Sequence, residues 1–219
     1  MEQKQVNPYQ ILFFLGIVSS ILGVSLWFFF KMRWISFFPG PAHGHLMFSA
    51  FLWPFIAGFL MTAIPRMTNS AETHFFELFL SLLFVFLQWV LNLRNLISYS
   101  EGLYFFQILF LGIFVLRRIL PTRSMPFEGF VFIPFAFFIT IFILLSPYFL
   151  LDFDSTNVMR LSGEAFVLNL IIGLGSRLVP ILSRVPSTPN PSPRLSSTKL
   201  KWLVVTALLL NVSFLLELF

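Results

Sequence analysis

Seven apolar segments, each close to the length of a bilayer crossing, constrain the fold of this chain more than any other feature. A membrane-spanning helix needs about 20 mostly apolar residues, and the chain is 58% hydrophobic and only 11% charged. Such a chain has too little polar surface to face water on all sides. We therefore predict an all-α, polytopic transmembrane bundle of about seven helices, forming a single domain over residues 1–219. The predicted spans are approximately Tyr9–Phe30, Leu46–Ile64, Phe75–Leu93, Gly102–Leu116, Phe130–Leu151, Leu161–Leu182 and Trp202–Phe219.

The basic residues predict how these spans are oriented. Ten of the 14 Lys and Arg residues fall on the side of the amino terminus, and only Lys31, Arg33, Arg94 and Arg160 fall on the other. The positive-inside rule then places the amino terminus in the cytoplasm. Because the basic residues are scattered over span ends and form no single patch, we expect the lipid bilayer and no nucleic acid as a partner.

The chemistry open to the chain is limited by the absence of cysteine, which leaves His, Met, carboxylate and backbone groups as metal ligands. His43 and His45 stand at the mouth of the second span. Residues two apart on a helix point about 200° apart, so joint ligation of one ion requires a non-helical backbone. Gly and Pro at positions 40, 41 and 44 predict such a lead-in. The alternative is that both histidines are interfacial polar residues without a ligand.

Other polar and irregular positions lie in the second and sixth spans and in a late linker. Pro54 should kink the second span. In the sixth, Gly173 precedes Arg177 by four residues and should clear space for it to face the bundle and bind an anion. The alternative is that Arg177 extends to the headgroups without a ligand. Residues 185–200 are rich in Pro and Ser and predict an exposed loop.

Two sequence blocks carry a resemblance to a known family. The first is His43-Gly44-His45-Leu46-Met47 followed by Ala57–Pro65 and Thr68, and the second is Gly173–Pro180 followed by Arg184. Both resemble the NnrS family of haem- and copper-containing polytopic membrane proteins, whose first block reads approximately H-A-H-E-M and then A-G-F-L-L-T-A-V-P. Leu46 stands where that signature has Glu, which removes a carboxylate partner and should weaken a metal site by about 10- to 100-fold.

The resemblance implies a fold, cofactors and a role. It covers roughly residues 10–185 and corresponds to the amino-terminal half of the family, so we expect a shortened relative or part of a longer protein, with an oligomer or a carboxy-terminal half as partner. It implies haem, copper or both, a link to nitric oxide or nitrosative stress, and the bacterial inner membrane. The implied metal ligands are His43, His45 and Met47, and the implied cofactor-binding residues are Arg177 and Pro180.

Two other functions stay open at this point. The first is a small transporter-like helical bundle in which Pro54, Glu164 and Arg177 line a path. The second is a membrane scaffold with no chemistry of its own. The sequence has no G-x-S-x-G motif and no phosphate-binding loop, and it leaves open whether the protein is an enzyme.

Overall fold

The computed structural model of the protein describes residues 7–121, 128–149, 155–183 and 197–217. These residues form helices and turns and no strand. They include seven helices that are long and apolar enough to cross a membrane, which confirms the predicted all-α class and the number of spans. The elements are α1 (Pro8–Lys31), α2 (Gly40–Leu46), a π-helical turn (Met47–Leu52), α3 (Trp53–Thr68), α4 (Phe75–Leu93), α5 (Ile97–Ile119), a 3₁₀ turn (Glu128–Val131), α6 (Phe132–Phe149), α7 (Ser155–Leu182) and α8 (Ser197–Leu216).

The helices group into two compact units, Met1–Thr122 with α1 to α5 and Arg123–Phe219 with α6 to α8. In the first unit, α2, the π-helical turn and α3 form one continuous span, Gly40–Thr68. This span lies against α1 on one side and against α4 and α5 on the other.

Glycines let α1 and α3 approach closely in the first unit. A Cβ added to Gly58 of α3 would come within 3.1 Å of Tyr9 Cα and of Leu12 Cβ on α1. A Cβ added to Gly16 of α1 would overlap the ring of Phe55 on α3. Small residues allow this kind of packing in lipid, where no hydrophobic effect drives one helix onto another. The order of these contacts makes the two helices antiparallel.

A buried ion pair joins α5 to the start of α4. The guanidinium of Arg118 donates to both carboxylate oxygens of Glu77, at 2.8 and 3.1 Å, and also to the carbonyl oxygens of Ala71 and Glu72. The same group lies 3.6 Å from the ring centroid of Phe114. Arg118, which is only 7% exposed, is therefore held by contacts with these four residues.

The first unit has two ends, which we name by residues that they carry. Arg66 Nη2 donates to Asn7 Oδ1 at 2.9 Å, which places the end of α3 beside the start of α1 and on the same side as Arg118. We call this side, which carries Arg66 and Arg118, the basic end. The opposite side, which carries His45 and Glu101, is the histidine end.

The second unit has its own apolar core and a pair of amide side chains inside it. Asn169 of α7 and Asn211 of α8 exchange side-chain hydrogen bonds of 3.0 and 3.2 Å. A reciprocal amide pair satisfies both polar groups away from water and fixes the register of the two helices. The surrounding buried core consists of Ile139, Ile143, Val158, Leu161, Ala165 and Phe214.

Several predicted boundaries differ from the structure. The second span begins at Gly40, six residues before the predicted Leu46. The fourth span begins at Ile97, five residues before the predicted Gly102. The predicted loop over residues 185–200 lies mostly outside the described residues, and its last four residues belong to α8. Each difference extends a helix, because apolar periodicity marks the centre of a span better than its polar ends.

Candidate functional site

The segment that carries both histidines is helical, so the predicted non-helical lead-in is wrong. Pro41 occupies the first turn of α2, where a missing N–H is tolerated and a fixed φ favours the helix. His43 N–H donates to Pro39 O at 2.8 Å and closes that turn. His43 and His45 are two residues apart on this helix, so their imidazoles point in nearly opposite directions. The structure does not bring the two rings to one point.

His43 faces α1. Its Nδ1 lies 3.0 Å from the carbonyl oxygen of Gly23, and its ring meets the ring of Trp27 edge to face, with centroids 6.0 Å apart. A carbonyl oxygen can only accept, so Nδ1 carries the proton and Nε2 of the neutral ring has a free lone pair. The side chain of Met47, one turn further on, also reaches Gly23. The structure therefore brings His43 and Met47 together on one face.

His45 faces α5 and is 4% exposed. Its Nε2 lies 3.5 Å from Oε1 of Glu101, and its Nδ1 has no hydrogen-bond partner among the described residues. Leu46, which replaces the expected carboxylate, is fully buried. Glu101, from another helix, is thus the carboxylate that stands beside a histidine ring.

A group of buried polar side chains lies next to this pair, between α4 and α5. It consists of Gln88, Asn92, Ser100 and Gln107, none of which is exposed, and we call it the amide cluster. Gln88 donates to Gln107 Oε1 at 3.1 Å, and Ser100 donates to Gln88 Oε1 at 2.6 Å. Buried polar networks with nearly all their partners are rigid. The amide cluster therefore fixes the direction of each amide group in it.

Gln107 links the amide cluster to the histidine-bearing span. Gln107 Nε2 donates to the carbonyl oxygen of Ser49, which lies in the π-helical turn, at 3.1 Å. The hydroxyl of Ser49 in turn donates to His45 O at 2.6 Å. Pro54, at which a kink was predicted, lies just inside α3, and the π-helical turn ends at Leu52, immediately before Trp53.

The other predicted positions lie elsewhere. Arg177 and Pro180 belong to α7, but their side chains lie outside the described residues. Glu164 of α7 is exposed. His74 precedes α4 at the basic end, where its backbone N–H donates to Glu77 Oε2 at 2.8 Å. Within the described residues, no group of three or more His, Cys, Asp and Glu side chains converges as a metal site would require.

Sequence reasoning missed Glu101 and Gln107. Glu101 falls in a segment that was predicted to be a loop between two spans, whereas α5 begins at Ile97 and includes it. A signal for the amide cluster was present, because Gln88 and Asn92 are four residues apart on one helix face. Polar residues at that spacing within a span indicate a face that turns toward other helices.

Comparison with known proteins gives one match. No curated protein and no solved structure is significantly similar to the chain. The family model described as NnrS protein matches residues 6–219, which is nearly the whole sequence and more than the predicted resemblance over residues 10–185. The chain therefore belongs to the NnrS family.

Proposed function

We propose that this protein is a membrane metalloprotein that binds copper or haem iron at its histidine end and acts in the response to nitric oxide or nitrosative stress. The observation that carries the metal proposal is the contact of His43 Nδ1 with Gly23 O at 3.0 Å. The role in nitric oxide physiology is supported by the resemblance to the NnrS family alone.

The hydrogen bonding of His43 is the kind that a metal-ligating histidine has. Histidines that ligate metals almost always donate their other ring N–H to a carbonyl or carboxylate, which orients the ring and raises its basicity. His43 has this arrangement with Gly23, so Nε2 is the nitrogen that would bind. Met47 lies on the same face, and a thioether suits monovalent copper while imidazole suits copper and iron. These two side chains fit copper better than haem iron.

His45 would supply a donor on the other side of the span, beside a different partner. Its Nε2 lies 3.5 Å from Glu101, so a carboxylate from α5 stands beside the ring although Leu46 cannot supply one. The unpartnered Nδ1 is a buried polar atom, and leaving such an atom unsatisfied costs about 1–3 kcal/mol. A bound ion would remove that cost.

Neither His43 nor His45 has a complete set of protein ligands, because their rings point apart and no group of three or more His, Cys, Asp and Glu converges within the described residues. We propose that the remaining positions are open to a small molecule such as nitric oxide, or to a residue from a second chain or a carboxy-terminal-half partner. A bound copper or haem iron would supply the orbital to which nitric oxide binds.

The proposed location is the bacterial inner membrane, with the basic end in the cytoplasm. The predicted topology assigns ten of the 14 Lys and Arg residues to the side of the amino terminus, which is the end that carries Arg66 and Arg118. The positive-inside rule places that side in the cytoplasm. The histidine end would then face the periplasm, where exogenous nitric oxide and copper arrive first.

The test is the metal content and absorption spectrum of the detergent-purified protein, together with three single variants. His43→Ala and His45→Ala should each weaken the binding of copper or haem by about tenfold or more at the position that loses its ligand. The matched control is His74→Ala, which removes a histidine at the basic end and should change neither signal. Purified protein that has no metal after supplementation during growth would favour the scaffold function.

A further inference from the structure

We propose that Pro54 and Gln107 are positioning residues that hold the π-helical turn Met47–Leu52 open and thereby aim His45 at Glu101. The inference rests on the proposed function to the extent that the side chains positioned are its proposed metal ligands. It concerns the chain's own geometry, however, and can be tested without a metal.

The first step is the hydrogen bonding of the Ser49 carbonyl. In an α-helix its donor would be the N–H of Trp53, four residues on, but that N–H donates to Phe48 O instead. In a π-helix the donor would be the N–H of residue 54, and proline has none. The backbone therefore leaves this buried carbonyl without a donor. Gln107 Nε2 donates to this carbonyl oxygen at 3.1 Å.

The second step is the orientation of the Gln107 amide. Its Oε1 accepts from Gln88 Nε2 at 3.1 Å, so its NH₂ group must point the other way, toward Ser49. Gln88 is held in turn by Ser100, which donates to its Oε1 at 2.6 Å. The amide cluster thus presents one donor, in a fixed direction, to the π-helical turn. Replacing that donor would leave a buried carbonyl unsatisfied.

The third step is the direction in which side chains along the span point around the helix axis, which we call its phase. His45, Ser49, Trp53, Ala57 and Met61 recur every four residues and are each at most 4% exposed. An α-helix turns about 100° per residue, so two residues 16 apart would point about 160° apart. The π-helical turn accommodates one extra residue, which corrects about 100° of that difference. If the same residues formed a regular α-helix, α2 would rotate and His45 would turn away from Glu101.

Cysteine pairs can measure this rotation because the chain has no native cysteine. In metal-free protein, the pair His45→Cys and Glu101→Cys should react with a short bifunctional thiol reagent. The pair His43→Cys and Glu101→Cys should not, since His43 faces α1. Adding Gln107→Leu should lower cross-linking of the first pair by about fivefold or more, the equilibrium shift expected from one unsatisfied buried carbonyl.

Two further variants separate positioning from general damage. Asn169→Leu removes a buried amide in the second unit and should leave the 45–101 cross-link unchanged. Deleting Leu52 removes the extra residue of the π-helical turn, so α2 and α3 would join as one α-helix in their present phase. That deletion should restore the cross-link in the Gln107→Leu protein.

Undiminished 45–101 cross-linking in Gln107→Leu would overturn the proposal, and so would failure of the Leu52 deletion to restore it. Because the cross-link is measured without metal, a protein that binds none would overturn the proposed function and leave this result standing. Conversely, metal that stays bound in Gln107→Leu while the cross-link is lost would confirm the positioning and show that the metal does not require His45.

Discussion

Arg118 of α5 holds the start of α4 and the segment before it at the basic end of the first unit. It is 7% exposed, yet it has a bidentate bond to Glu77 and bonds to two carbonyl oxygens of the segment between α3 and α4. Burying two charges is costly, and their attraction offsets that cost only when the geometry is good and the remaining donors are satisfied. Both conditions hold here, so removing Arg118 would leave the mostly buried carboxylate of Glu77 without its charged partner.

We predict that Arg118→Met lowers the free energy of unfolding by about 3 kcal/mol, since breaking a buried pair typically costs 3–5 kcal/mol. Thermal unfolding in detergent, followed by circular dichroism, would measure the change. Arg117→Met removes the same charge from the exposed neighbouring position and should shift unfolding by less than about 0.5 kcal/mol. Equal effects of the two substitutions would contradict the stabilising role of the Arg118–Glu77 pair.

The histidine pair shows what can be predicted at the level of single residues. Residue type and position in the sequence were enough to mark His43, His45 and Met47 as candidate ligands. Their partners could not be predicted, because Gly23 and Glu101 lie 20 and 56 residues away in the sequence and meet them only through tertiary packing. The assumption of irregular backbone around Pro41 also misdirected the prediction, since proline is well suited to the first turn of a helix.

At the level of elements, all seven spans could be predicted because membrane helices depend on hydrophobicity and length. The π-helical turn could not be predicted from the sequence. Its formation depends on Gln107, a residue on a different helix, which supplies the donor that Pro54 withholds from Ser49. A proline in the sequence indicates that one backbone bond is lost, but whether the helix kinks, bulges or ends depends on what replaces that bond.

We predict opposite effects for two Gly→Ala substitutions in the first unit. Gly58→Ala should destabilise the protein by about 1–3 kcal/mol, because the new Cβ would lie 3.1 Å from the backbone of Tyr9 and α1 would have to move away. Gly102→Ala, on α5, meets no atom within 4 Å and should stabilise the protein by up to about 1 kcal/mol through helix propensity. Thermal unfolding of the two variants in the same detergent checks both signs. Destabilisation by Gly102→Ala would contradict the open surface at that position.

For the whole molecule, composition was enough to predict a polytopic membrane protein, because the apolar runs leave no alternative environment. The division into Met1–Thr122 and Arg123–Phe219 left no comparable mark in the sequence. Both units are built from spans of similar length and hydropathy, and which helices pack together depends on side-chain shape and on pairs such as Asn169 and Asn211. Grouping of helices is therefore a property of tertiary packing that hydrophobic patterns do not encode.

The orientation of the chain in the membrane is a prediction at this scale. Glu72 and Ser98 are exposed and lie beyond opposite ends of α4, whose 19 residues span about 28 Å at 1.5 Å per residue. Single cysteines at these positions should therefore reach opposite aqueous phases. In intact cells, Ser98→Cys should react with a membrane-impermeant maleimide, and Glu72→Cys should react only after permeabilisation, because the excess of basic residues places the end near Glu72 in the cytoplasm. The cysteine-free parent chain gives the background signal. Labelling of Glu72→Cys but not Ser98→Cys in intact cells would reverse the orientation and place the histidine end in the cytoplasm.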